Sequence, residues 1–246
     1  MRPILFSFGL FHFYSFGILV ALGVVISLYL MTERARRDGF PAGNQVGDLL
    51  FIVVAAGLVG ARIHYAIQNA DWYLAHPLSI FALWEGGLIF YGGMFSSFVA
   101  VILFMKVKKI PFSKGFDFLC PYVALTHAFG RLGCFMTGCC YGRACNLPWA
   151  VQFPELPSPV HPTQLYEAFF LFALFAFLNW QYSRKKFDGQ IMALYFVLYP
   201  IGRFVIEFFR ADNPFWGFFT RNQWLSLAVF VAASGFYYFR KQQAEK

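Results

Sequence analysis

The chain has 246 residues, of which 59% are hydrophobic and only 13% charged, and Phe alone fills 34 positions. Soluble domains carry about 25% charged residues. A cytosolic enzyme, a disordered chain and a secreted disulfide scaffold are therefore excluded, and lipid is the expected solvent. The formal net charge of +8 reads as the loop bias of a membrane protein rather than as a nucleic-acid surface.

A spanning helix needs about 20 mostly apolar residues. In chain order the sequence predicts spans at 14–31, 49–67, 86–105, 116–135, 163–183, 189–209 and 222–239. The expectation is an all-α integral membrane protein with seven transmembrane helices and its termini on opposite sides. Arg34, Arg36, Arg37, Lys106, Lys108, Lys109, Lys114, Arg184, Lys185, Lys186, Arg240, Lys241 and Lys246 all fall on one side. Only Arg2, Arg143, Arg210 and Arg221 fall on the other. The basic side is the cytoplasm, which puts the N-terminus in the periplasm and the C-terminus inside. The first span is too long for a signal-peptide core and runs into an Arg-rich loop, so it reads as a retained helix. No repeat or linker interrupts the chain. Residues 1–246 read as a single membrane domain, with interfacial segments at 70–85, 141–162 and 210–221.

Ionisable residues inside spans are costly and point to function by default, with a structural ion pair as the alternative. At about 1.5 Å per residue, Arg62, Arg131 and Arg203 each stand roughly 21–25 Å above the cytoplasmic end of their span. Tyr14, Tyr91 and Glu167 reach the same outer level from the opposite direction. Spacing adds to this. Arg203, Glu207 and Arg210 lie at i, i+4 and i+7, so they share a helix face, and Glu207 is expected to form a structural ion pair with either arginine. His127 with Arg131, and Gln164 with Glu167, share faces in the same way. Guanidinium groups in excess of carboxylates call for an anion, and their fork suits phosphate. In a bilayer that anion is a phospholipid. Gly86-Gly87 and Gly92-Gly93 flank Tyr91 and permit close approach, either to a ligand or between packed helices.

Cys120 lies mid-span and reads as a small buried hydrophobe. Cys134, Cys139, Cys140 and Cys145 follow a C-x4-C-C-x4-C spacing near the outer face. Three readings stay open for them: a disulfide cluster on the oxidising side, reduced packing residues, or a zinc site whose spacing is not a usual C-x2-C pattern.

Seven strings resemble the phosphatidylglycerol–prolipoprotein diacylglyceryl transferase family of bacterial lipoprotein maturation. They are Tyr14-Ser15-Phe16-Gly17, Gly60-Ala61-Arg62, the run from Trp84 to Gly93, Gly130-Arg131-Leu132-Gly133, His161 to Glu167, Arg203 to Arg210, and Gln223-x-Leu225-Ser226. They occur in family order from end to end. The resemblance implies a seven-span inner-membrane enzyme with its active site toward the periplasmic leaflet. It would move the diacylglyceryl group of phosphatidylglycerol to the lipobox cysteine of a preprolipoprotein, forming a thioether and releasing glycerol phosphate. No metal, dissociable cofactor or nucleic acid is implied.

By the same resemblance Arg131 and Arg203 hold the phosphate, and Arg62, Tyr14, Gly92, Gly93, Gln164 and Glu167 contact substrate. The family's histidine, a candidate base, is replaced here by Tyr91, which is expected to act with Arg131 and Arg203 in catalysis, either as a proton acceptor or by orienting the lipid phosphate through its hydroxyl. Its two asparagines are Cys134 and Thr137, its glutamate is Cys139, and the head region at about 141–162 is reduced. These replacements keep two rivals in view: a paralogue that uses phosphatidylglycerol with a different acceptor, and a membrane thiol-disulfide or metal-sensing protein.

Overall fold

The computed structural model describes residues 4–8, 11–40, 43–82, 86–211 and 214–245. Arg2 and the Trp84-Glu85 pair of the glycine-rich string lie outside the described residues. Each of the seven expected spans falls largely within a helix. These helices are α1 (Ser15–Asp38), α2 (Gly43–Gln68), α4 (Phe90–Val107), α5 (Phe112–Thr137), α6 (Thr163–Tyr182), α7 (Gln190–Glu207) and α8 (Arg221–Ala244). A short α3 (Ala70–Ala75) and a 3-10 turn (Pro77–Phe81) follow α2. By length and apolarity, Ser15–Asp38, Asn44–Gln68 and Gln190–Glu207 are able to cross a membrane, while the apolar Tyr91–Val107 is shorter.

Two short hairpins qualify the all-α expectation. β1 (Ile4–Phe8) pairs antiparallel with β2 (Phe11–Tyr14), and β3 (Phe215–Trp216) pairs with β4 (Phe219–Thr220). Backbone outside a helix still needs hydrogen-bond partners, and a hairpin supplies them locally. Helices also run past the expected span ends. Arg34, Arg36 and Arg37 belong to the last turns of α1 rather than to a loop.

Burial is inverted in the manner of a protein in lipid. Large apolar side chains such as Leu22, Val25, Phe51, Phe95, Phe169 and Val231 are exposed, whereas Asp117, Gln164, Glu167, Glu207 and Gln223 are buried. Fully buried carboxylates are rare unless paired, so each needs an accounting. The described chain forms two compact units, one of Met1–Ser27 with Phe116–Lys246 and one of Leu28–Gly115. In the first, Ser27 Oγ lies 2.9 Å from Thr126 Oγ1, tying the middle of α1 to α5. In the second, α2 packs along α4.

Asp117, on the first turns of α5, explains how α7 begins. Its carboxylate accepts the N–H groups of Gly189 (2.8 Å) and Met192 (2.9 Å) and the Lys185 ammonium (3.0 Å). Free N–H groups at a helix start need acceptors, and here a side chain from another helix supplies both oxygens. Asp117→Ala should therefore cost about 3 kcal/mol, the scale of breaking a buried pair, read by thermal unfolding in detergent. Burial opposes the Lys185 charge, but its hydrogen bond to Asp188 and the Asp117 charge outweigh that and hold its pKa above the ordinary value. A raised lysine pKa stabilises fully below the unfolded value, about 10.4, and its contribution fades as pH climbs through the folded one. The stability deficit of Lys185→Met should accordingly shrink from about pH 10 upward.

Candidate active site

α5, α6 and α7 bring a set of buried charges together in the first unit. Glu167, 1% exposed, lies one turn into α6. Its Oε1 stands 3.1 Å from Arg131 Nη2 and 3.9 Å from His127 Nε2, both on α5. The same oxygen accepts the Tyr199 hydroxyl of α7 at 3.2 Å. One turn further along α7, Arg203 Nη1 approaches Glu207 Oε2 at 2.7 Å, an ion pair not aligned as a hydrogen bond. Arg210 Nε is 4.0 Å from that oxygen. Thr220 and Asn222 donate to Glu207 Oε1, each at 3.0 Å. Tyr199, one turn before Arg203 on α7, also packs its ring against His127 with centroids 5.5 Å apart, which joins the two clusters.

Three guanidinium groups thus face two carboxylates. Among the described residues Arg131 Nε, Gln164 Oε1 and Glu167 Oε2 are buried without a hydrogen-bond partner. Buried polar atoms left unpaired cost about 1–3 kcal/mol each, and such atoms gathered in one place suit a polar ligand.

The cysteine loop adjoins this cluster. Gln164 Nε2 donates to the Cys139 carbonyl at 2.6 Å, Thr163 Oγ1 to the Cys140 carbonyl at 2.8 Å, and Arg210 Nη1 to the same carbonyl at 3.4 Å. The sulfurs of Cys134, Cys139 and Cys140 meet, whereas Cys145 stands outside the group. All five thiols are free. Hydrogen bonds from the Cys134 and Cys139 thiols, together with the Arg210 guanidinium, push the Cys140 thiol below its ordinary range.

The second unit holds Arg62, Tyr91, Gly92 and Gly93, and three of them serve differently. Arg62, expected to touch substrate, is buried and spends all five N–H donors on main-chain carbonyls. Nε reaches Ile80, Nη1 reaches Gly86 and Gly87, and Nη2 reaches Ser79 and Ala82. Nothing of the fork is left for a phosphate, so Arg62 is a clamp on residues 79–82 and 86–87. Gly86 and Gly87 have φ of +80° and +69°, a backbone region that favours glycine, which presents their carbonyls to Arg62.

Gly92 and Gly93 are buried where α4 crosses α2. A Cβ at Gly92 would sit 2.6 Å from the Gly60 carbonyl oxygen, and one at Gly93 would sit 2.9 Å from that of Gly57. Their role is close helix packing rather than ligand contact. Gly92→Ala should cost about 2 kcal/mol through overpacking, measurable as a lowered unfolding temperature. Tyr91 is 70% exposed on the first turn of α4, and Tyr14 is exposed at the end of β2.

Tyr199 lies beyond the expected set, yet its sequence signal is plain: it precedes Arg203 by four residues and so shares its face. Thr220 carries a weaker signal, as the first residue of a Thr-x-x-Gln capping box that opens α8. No comparable sequence signal marks Asn222.

Fold and site together define a helical membrane protein that holds guanidinium groups in excess within its interior. Residues 3–239 match the family described as prolipoprotein diacylglyceryl transferase, and the chain belongs to that family. A phosphatidylglycerol–prolipoprotein diacylglyceryl transferase of Bordetella parapertussis is 34% identical over 248 residues, covering 96% of this chain and 94% of its own. The protein of that name from Clostridium tetani is 35% identical over 219 residues, covering 86% of each chain. The one from Methylobacillus flagellatus is 35% identical over 244 residues, covering 94% of this chain and 93% of its own.

Proposed function

We propose that this protein transfers the diacylglyceryl group of phosphatidylglycerol to the lipobox cysteine thiol of a preprolipoprotein, releasing glycerol phosphate. The observation that carries this reading is the buried excess of guanidinium charge at Arg131, Arg203 and Arg210 over Glu167 and Glu207. A lipid phosphate would balance it, and the names of the relatives supply the donor and acceptor. Arg131 and Arg203 hold the phosphate and stabilise the charge that develops on it as the glycerol C–O bond breaks. Glu167 and Glu207 orient these arginines, and Gln164 fixes the loop beside them. Tyr14 and Tyr91 contribute hydroxyl contacts to substrate, which Tyr→Phe replacements test through activity.

The Lys and Arg distribution supports seven spans in the bacterial inner membrane, with the N-terminus periplasmic, the C-terminus cytoplasmic and the site toward the outer leaflet. The direct test is complementation of a strain depleted of its own diacylglyceryl transferase. Growth should return, and a reporter lipoprotein should gain a diacylglyceryl mass on its cysteine but not on a serine in its place. Full membrane expression without either result would overturn the lipobox acceptor and favour another nucleophile.

A further inference from the structure

Cys134 lies in the last turn of α5, which ends at Thr137, and Cys139 and Cys140 follow just beyond it. Their sulfurs all lie within 4.8 Å of one another, and no disulfide joins them. The phosphate chemistry above uses none of these thiols. Yet the turn that gathers them is firmly held. Cys139 N–H donates to the Cys134 carbonyl at 3.1 Å, and the Cys139 and Cys140 carbonyls are gripped by Gln164 and Thr163, each 1% exposed. Cys140 itself sits at φ +63°, a conformation that costs an L-residue roughly 1–2 kcal/mol. Mere filling of space would not require that backbone at a cysteine.

Thiolate sulfur is a soft donor and selects zinc or cuprous ion over magnesium or calcium. Zinc–sulfur bonds of about 2.3 Å at tetrahedral angles set ligand sulfurs about 3.8 Å apart, so closure from the observed spacing is a shift of about 1 Å. Among the described residues no fourth His, Cys, Asp or Glu ligand atom joins the group. Structural zinc sites have four protein ligands, while sites that do chemistry have three and an open position. Three thiolates around Zn²⁺ carry one net negative charge.

We propose that Cys134, Cys139 and Cys140 bind Zn²⁺, and that its open fourth position takes the acceptor cysteine thiol. The second half rests on the transferase reading. A metal-bound thiol is deprotonated outright, so the proton passes to water and no side-chain base is needed where Tyr91 replaces the family's histidine. The thiolate sulfur then attacks the glycerol methylene. A C–S bond forms, the C–O bond to phosphate breaks, and glycerol phosphate leaves with that electron pair. The product thioether is neutral and a weaker ligand, so it departs.

The test uses the full chain, purified in detergent under reducing conditions and loaded with Zn²⁺ or, as a spectroscopic probe, Co²⁺. About one metal per chain and a thiolate-to-cobalt absorption band are expected. Cys134→Ser, Cys139→Ser and Cys140→Ser should each weaken binding at least about tenfold. A peptide with a lipobox cysteine should shift the cobalt d–d bands, and its serine version should not. Absence of the band with all thiols titratable, a disulfide found by mass, or serine variants that bind like the parent would overturn the metal site. A silent peptide together with full transfer by metal-stripped protein would overturn the acceptor position. Metal binding with the expected peptide response but no diacylglyceryl transfer would sink the transferase reading and leave the metal site standing.

Discussion

Arg203→Lys should slow diacylglyceryl transfer by about 10²–10³-fold, the scale of losing one preorganised donor from a charge-stabilising site, while the protein stays folded. Lysine keeps a positive charge within reach of Glu207, so the buried pair and the packing of α7 survive. It cannot offer two parallel N–H bonds to one phosphate. Arg131→Lys should behave alike, because its carboxylate partner Glu167 also retains the Tyr199 hydroxyl. The double variant should be little slower than either single one if both arginines act on one phosphate as a unit. Turnover with phosphatidylglycerol and a lipobox peptide, beside an unfolding curve in the same detergent, separates the two effects. Near-normal turnover by Arg203→Lys would show that charge alone suffices.

Glu207→Ala should do the reverse and remove the folded protein. Its carboxylate is fully buried, and Arg203, Arg210, Thr220 and Asn222 converge on it from three segments. Deleting one partner of a buried pair costs about 3–5 kcal/mol, a large share of what a typical domain has. Low yield in membranes and a collapsed unfolding transition are the expected readings. Glu207→Gln should fold better, since its amide oxygen still accepts from Thr220 and Asn222 while leaving Arg203 without a counter-charge. A Glu207→Ala protein that melts with the parent would show that these contacts hold little.

Local signals in the sequence went far with this chain. Apolar stretches located the long helices because a lipid-facing helix must be apolar over its whole length. Four-residue spacing located the Arg203–Glu207 pair, since both ends lie on one helix. The readings that fell short concern partners distant in sequence. Thr220 and Asn222 reach Glu207 from the start of α8, and Gln164 reaches a carbonyl rather than a side chain. Arg62 looked like a free cation because main-chain acceptors leave no mark on a sequence. Gly92 and Gly93 permit close approach of either a ligand or a helix, and only their neighbours Gly60 and Gly57 on α2 decide for packing. Cys145 shares the spacing of its companions but not their location, since spacing along a loop does not fix the path of the loop.

The Arg62 clamp has a consequence for the order in which the chain can assemble. One guanidinium and five carbonyl oxygens are each expensive away from water, and they cancel only as a complete set. An early state with α2 embedded and residues 79–82 and 86–87 unformed would strand the cation, and the opposite state would strand the oxygens. Insertion of α2 and shaping of the following turn are thereby fused into a single cooperative event, with one side chain as the fastener.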